Sequence, residues 1–402
     1  MAWSGLDIAL FVITGGTILA LLQPRLHHSP LWQATVTPLA SIIGSGFLII
    51  APVLGFLVGD WAFAAMLALS VTAYLIGAVI RYNIRHQEPL LRNGRGPRWV
   101  FLMERASDLP LVLSYTTSVA FYLRLLASFV FQGLHMRNPL AENLLTTALL
   151  LFIGITGKRR GLDHLEILEN YSVSIKLSVI AALLAGLMAH DTTHGFALRL
   201  VQPNLDMTTI RTLAGLILVV QGFETSKYLG EKYTAAMRIR SMRYAQILSG
   251  IIYVAFVILV TPLFVDLPAG HVDEREIIAL TQHVAAALPV LLVLGAVMSQ
   301  FSAGVADTVG AGELLAEATR RKVSSHTGFL VVTLAAIGLV WSANVFEIVT
   351  YASRAFALYY LLQTLIALGI AHRNGHKAAR ALFFALSLLL TFVVLFAIPV
   401  EG

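Results

Sequence analysis

Three residues of this 402-residue chain stand where apolar sequence makes a charge expensive. Lys176 lies in the run "SVSIKLSVIAALLAG", Glu224 in "VVQGFETSKYLGEKY" and Arg354 in "ASRAFALYYLLQTLIAL". A charge at the centre of a bilayer costs at least about 2.5 kcal/mol even on the lenient insertion scale. Burial penalises the charged form of a lysine, so Lys176 is able to gain and lose a proton at working pH, which is the chemistry of a proton carrier. The alternative is a structural lysine held by Glu169, seven residues earlier and on roughly the same helix face. Glu224 follows Gly222, and a carboxylate beside a helix break either caps free N–H groups or binds a solute or proton itself. Arg354 and Glu347, also seven apart, read as an ion pair sealing the outer side, whereas Arg124 has no evident sequence partner.

The second kind of chemistry comes from backbone. In "ASIIGSGFLIIAP", residues 40 to 52, Gly44, Ser45 and Gly46 interrupt an apolar helix and Pro52 follows. A broken helix exposes N–H groups with about half a positive charge on one side, which suit a carboxylate, and free carbonyls on the other, which suit a cation. Helix breaks are tolerated in a membrane only where protein or a water-filled cavity surrounds them. The backbone and side chains of Ser41, Gly44, Ser45, Gly46, Gln221, Gly222, Phe223 and Glu224 are therefore the candidate binding residues. On these residues alone the solute is small and polar or charged. Tyr115, Tyr122, Phe223 and Tyr351 either shape that site or simply pack.

Other chemistries are excluded or disfavoured. There is no cysteine, hence no disulfide, thiolate metal site or thiol nucleophile. His27-His28 and His372 with His376 fall in basic loops without an accompanying carboxylate, so a metal site is not expected. No Walker loop is present, and neither ATP drive, a cofactor nor an enzymatic activity is expected.

These residues need elements to position them. The chain is 57% hydrophobic and 12% charged, with mean hydropathy +0.79, which predicts an all-α polytopic membrane protein. The first 22 residues lack the basic start and small-residue cleavage site of a secretory signal. Spans are predicted at 6–22, 36–59, 61–81, 108–133, 140–156, 166–189, 208–230, 244–265, 283–306, 327–342, 344–371 and 380–398, twelve in all. With loop 23–35 placed in the cytoplasm, 21 of the 28 lysines and arginines fall inside and four outside. The positive-inside rule then puts both termini outside the cell membrane, and the net charge of +6 marks loops rather than a nucleic-acid partner. The expected organisation is one membrane domain, 1–402: an extra helix at 6–22, blocks 36–189 and 208–371, and a final helix at 380–398. Each block has five spans, so the two have opposite orientation. Each opens on an interrupted helix, the pattern of a secondary transporter with a site near the bilayer midplane.

Here a resemblance becomes specific. "SIIGSGFLIIAP" resembles the first core helix of the amino acid–polyamine–organocation (APC) superfamily, and "QGFE" resembles its sixth. "SVSIKLSVIAALLAG" is similar to the fifth helix of proton-coupled members, and residues 352 to 368 to the tenth. Pro52 comes about one residue later than in most members, and the span 6–22 precedes the core. The resemblance implies a LeuT-type 5+5 inverted-repeat fold with discontinuous first and sixth core helices. It implies an amino acid or related amine-bearing substrate, a proton as coupling ion, and Lys176 where other transporters of the fold hold sodium, between the first and eighth core helices. Two further readings stay open: the same fold carrying an inorganic ion or a carboxylate solute, and a non-transporting membrane subunit or sensor.

Overall fold

The structure is a computed structural model and describes residues 4–44, 46–94, 96–133, 136, 138–195, 205–266, 281–342 and 345–398. Its regular elements are helices: α1 (Gly5–Leu21), α2 (Pro24–His27), α3 (Pro30–Ile42), α4 (Gly46–Val58), α5 (Ala62–His86), α6 (Glu88–Arg92), α7 (Arg98–Gly133), α8 (Pro139–Arg160), α9 (Leu162–His194), α10 (Met207–Leu216), α11 (Ala235–Val260), α12 (Ala287–Ala318), α13 (Ser325–Ser342), α14 (Val345–Arg373) and α15 (Lys377–Phe396). Among the described residues nine helical runs are long and apolar enough to cross a membrane, one of them joining α4 to α5 and α6. The 17-residue α1 and the two interrupted crossings, α3–α4 and α10 with its 3₁₀ continuation, bring the total to the twelve expected.

Several helices outrun their predicted spans. α7 starts ten residues before 108, α11 starts at Ala235 rather than 244, and α12 runs to Ala318 rather than 306. The cause is common to all: hydropathy marks the apolar thickness of the bilayer, whereas a helix continues past it wherever its charges are solvated or paired. Arg81, the last residue of the predicted span 61–81, is buried on α5, where its guanidinium donates to Gln246 on α11 and to the Tyr74 carbonyl.

Local chemistry sets the helix starts. Ser4 and Asp7 form a capping box on α1, and the Asp7 carboxylate also accepts from the Ala287 N–H at 2.8 Å, clipping the extra helix to the start of α12. Asn138 and Asp206 cap α8 and α10 by accepting from the N–H of Ala141 and Thr209.

Burial sorts the bundle. The most apolar window of α9 is 67% buried and that of α7 is 61%, against 28% for α8 and α15. α7 and α9 therefore lie inside and α8 and α15 face lipid. The packing pairs α5 with α11, α7 with α12 and α8 with α13; α7 also packs on α14, as α12 does on α9. α3 sits at the centre, against α9, α11 and α12.

Candidate functional site

The first break lies between Ile42 and Gly46. The carbonyls it frees are met one by one. Ala40 O and Ile43 O accept from Lys176 Nζ at 3.2 and 2.6 Å, Ile43 O and Gly44 O from Ser299 Oγ at 2.7 and 3.1 Å, and Ile42 O from Tyr253 OH at 3.0 Å. Buried backbone acceptors need such partners, and here α9, α11 and α12 each supply one. Pro52 is inside α4, beyond the break. Gly46 opens α4 against the second interrupted crossing, where a Cβ would fall 2.0 Å from Val219 Cγ1.

The second break follows a 3₁₀ segment, Ile217–Val220. Gln221 is extended, Gly222 has φ 113, and a second 3₁₀ segment runs Phe223–Tyr228. That φ is in the region that favours glycine, and a Cβ there would lie 2.4 Å from Ser41 Oγ and 2.7 Å from the Ser41 carbonyl carbon. The two breaks thus touch, Gly222 against Ser41. Glu224 accepts from the Gly222 N–H at 3.0 Å and from Tyr115 OH at 3.1 Å, and also takes a short bond from Tyr360 OH. This is capping geometry. Phe223 stacks on Tyr360, with centroids 5.4 Å apart, and Gln221 Oε1 accepts from Tyr360 OH at 3.3 Å.

Lys176 is 1% exposed, and its three N–H bonds are spent on Ala40 O, Ile43 O and Ser302 Oγ, the last at 2.9 Å. It thereby ties α9 to the end of α3 and to α12. The alternative of an ion pair with Glu169 is not found: Glu169 accepts instead from Thr37 Oγ1 on α3, and no carboxylate among the described residues lies in salt-bridge range of Lys176. Seven residues separate the two along the axis by about 10 Å, too far for contact even on one face.

Ser41, Gly44, Gly46, Gln221, Gly222, Phe223 and Glu224 are brought together at the crossing, and Lys176 stands on the other flank of the first break. Ser45 lies outside the described residues, as do the side chains of Glu347 and Tyr351, so the expected Arg354–Glu347 pair is not described; Arg354 itself is exposed. One central residue escaped sequence reading. Asp307 on α12 is fully buried, its Oδ1 accepts from Ser41 Oγ at 2.6 Å, and its Oδ2 has no partner. It sits one residue past the predicted end of its span, because the carboxylate itself lowered the hydropathy there. Ser299, Ser302 and Tyr360 carried no signal beyond their polarity in apolar helices.

The two ends of the bundle differ. A narrow crevice with a cavity volume of only about 20 Å³, lined among others by Gly44, Phe47, Phe129, Lys176, Ser299 and Gln300, reaches the lysine from the half holding the start of α12 and the end of α9. At the opposite end charged side chains close the molecule. Lys227 pairs with Glu104 at 2.6 Å, Arg238 with Glu88 at 2.6 Å, Lys232 with Asp163 and Glu166 at 2.5 Å each, and Arg321 with Glu231 at 3.0 Å. Gln363 on α14 donates to Glu104 and accepts from Lys227. The hydrogen bond from Lys232 holds the Asp163 carboxyl below the usual carboxylate range.

Two broken helices crossing at their breaks, inside a helical bundle of twelve spans, define a LeuT-type transporter fold. The chain belongs to the APC superfamily: the family model described as APC superfamily transporter matches residues 24–397. An uncharacterized protein of Aquifex aeolicus (strain VF5) is 49% identical over 387 residues, covering 96% of this chain and 95% of its own. Among solved structures, a Na+-coupled sialic acid symporter in its substrate-bound outward-open state aligns with TM-score 0.59 at 16% identity, over 99% of this chain and 100% of its own. The Eremococcus coleocola manganese transporter aligns with TM-score 0.59 at 12% identity over 90% and 85%. MHP1, a nucleobase-cation-symport-1 family transporter, aligns with TM-score 0.53 at 12% identity over 90% and 91%. At these identities the solved structures speak for the fold alone.

Proposed function

We propose that this APC-type transporter is a proton-coupled secondary carrier of an amino acid or related amine-bearing solute, working by alternating access in the cell membrane with both termini outside. The observation that carries the reading is the position of Lys176. Its ammonium donates to the freed carbonyls of α3 and to Ser302 of α12, so a fixed side-chain cation fills a nest of oxygens that would otherwise suit a mobile one. A proton on this amine is then the coupling ion, and sodium is not required. Losing that proton removes one of three bonds holding α3 to α9 and α12, which loosens the inner half of the first broken helix. A ligand or proton shifts a conformational equilibrium only through such a difference between states.

The solute binds where the breaks touch, among Ser41, Gly44, Gly222 and the aromatic rings of Phe223 and Tyr360. The unpartnered Oδ2 of buried Asp307 beside Ser41 favours a solute with a cationic group over one with carboxylates only. Blocks 36–189 and 208–371 are the two inverted repeats. The packing supports this: exchanging each helix for its counterpart turns the α7–α14 contact into the α12–α9 contact. The test is uptake by proteoliposomes of a radiolabelled L-amino acid mixture, with and without an inward proton gradient. Accumulation driven by the gradient in sodium-free buffer is expected. Uptake that needs sodium and ignores pH would refute the reading.

A further inference from the structure

Helix α9 carries more titratable groups than a single coupling lysine requires. Asp163, Glu166 and Glu169 precede Lys176 at intervals of three, three and seven residues. At about 100° per residue, Glu169 and Lys176 differ by about 20° around the axis and Glu166 lies about 60° from Glu169, so these three share one stripe, with Asp163 about a further 60° round at its end. Exposure is graded along it. Lys176 and Glu169 are 1% and 0% exposed, Glu166 is 6%, and the Asp163 side chain is 75% exposed at the charged end of the bundle.

The buried members are not satisfied as structural carboxylates would be. Glu169 uses one oxygen to accept from Thr37, and Glu166 one oxygen to accept from Lys232 and Tyr233; the second oxygen of each is buried without a partner. Open acceptors on buried carboxylates are costly, and both lie along the same stripe, between the lysine and the exposed end. The surroundings leave few other carriers. The charged groups that act most on Glu169 are Glu166 and Lys176 on its own helix and Asp307 on α12, with Tyr233 approaching from the turn before α11. α3 offers no titratable residue; Asp7 of α1 is tied to the Ala287 N–H at the far end, and Lys158 of α8 donates to Thr327.

We infer that α9 is a proton route and that Glu169 is its relay, an inference that rests on the proton-coupled reading above. An N–H bond of the Lys176 ammonium breaks, the electron pair stays on Nζ, and the proton crosses the roughly 10 Å between the residues on intervening water to form an O–H bond at Glu169. The Glu169 O–H then gives its proton to Glu166 and, beside Asp163, to bulk water. One proton moves, and no oxidant or reductant is involved. The Thr37–Glu169 bond makes the route conditional. While α3 lies on α9 that hydroxyl holds the relay in a dry contact, and once the inner half of α3 swings away Glu169 is released to water. Proton release is thereby tied to inward opening.

The experiment compares wild type, Glu169→Gln and Glu169→Asp in proteoliposomes with a pH dye inside and the radiolabelled L-amino acid mixture outside. Glutamine still accepts from Thr37 but carries no proton. Its proton influx should fall about a hundredfold more than its counterflow exchange, the low end of what a positioned proton carrier contributes. Glu169→Asp should restore part of the influx and a pH profile of its own. Equal losses of influx and exchange in Glu169→Gln, or an unchanged ratio, would reduce Glu169 to a packing residue and leave the proton-coupled reading standing. Wild-type accumulation without internal acidification would sink that reading and the relay together. Infrared difference spectra over a pH titration need no solute: a carboxylic C=O band missing in Glu169→Gln and displaced in Lys176→Met is expected. A spectrum indifferent to Lys176 would overturn the relay.

Discussion

The sharpest prediction concerns Gly46 and the valine that faces it. In Gly46→Ala the new Cβ would stand 2.0 Å from Val219 Cγ1 and 3.3 Å from Val219 Cβ. Carbon atoms rest at about 3.5–4.0 Å, so the pair must open by roughly 1.5 Å. Valine is stiff at χ1, and leaving its rotamer costs about 0.5–1.5 kcal/mol. The other way out is to move the 3₁₀ segment Ile217–Val220 away from α4. Together these give a loss of about 1–3 kcal/mol, the usual range for inserting a methyl group into packed structure. Val219→Ala removes the offending Cγ1, so the double variant should recover most of that loss, with a coupling of about 1–2 kcal/mol between the two positions. Thermal unfolding of the four proteins in one detergent measures it, and uptake by the same four shows whether the approach of the two broken helices matters for transport. Strictly additive losses would refute the contact. Gly222→Ala is the control: the obstacles there are backbone atoms, the Ser41 carbonyl carbon at 2.7 Å and Ile42 N at 2.8 Å, so no single side-chain truncation should rescue it.

Lys176→Met should abolish gradient-driven accumulation and the pH dependence of uptake while changing stability little. Three lost bonds to an ammonium, each worth about 1.5–3 kcal/mol, are offset by the removed cost of burying its charge, and Ile43 O keeps its bond from Ser299; full pH dependence in the variant would count against the assignment. The lowered Asp163 carboxyl predicts a bond to Lys232 that stabilises at neutral pH and is lost as pH falls through the folded value, below the roughly 3.9 of a free aspartate. Asp163→Asn should therefore be less stable than wild type at neutral pH, by under about 1 kcal/mol for so exposed a pair, and the difference should vanish in acid, as thermal scans would show. A reporter active only in the cytoplasm should stay dark when fused after Gly402, and a bright fusion would overturn the orientation.

The outline of the fold was legible because it is written in long-range composition. Twelve apolar stretches and their flanking cations give the crossings, and Gly44 and Gly222 mark both breaks. The ends of the crossings were not legible, since α7 and α12 continue as helices where hydropathy has already failed. That error had a direct consequence at the site: Asp307 was left outside its span by one residue. The partner of Lys176 was hidden for a different reason. Its acceptors are the carbonyls of Ala40 and Ile43 and the hydroxyl of Ser302, more than a hundred residues away in either direction. A backbone carbonyl leaves no mark in sequence, so the only visible candidate was a nearby carboxylate, and Glu169 turned out to face Thr37.

The charged closure at one end of the bundle also bears on how coupling is to be measured. Some of its members are wet: Arg321 and Glu231 are 45% and 55% exposed, and Lys232 is 30% exposed, whereas Lys227 and Arg238 are nearly buried. Dissolved ions weaken exposed pairs over a screening length of about 8 Å at physiological strength and leave buried ones largely alone. Added salt should thus loosen half of this latch and bias the protein toward inward opening, whatever the ion. Sodium chloride added to an uptake assay would then accelerate transport without sodium being bound or carried. Potassium or choline chloride at equal ionic strength should produce the same acceleration, and only a difference between those salts is evidence about the coupling ion.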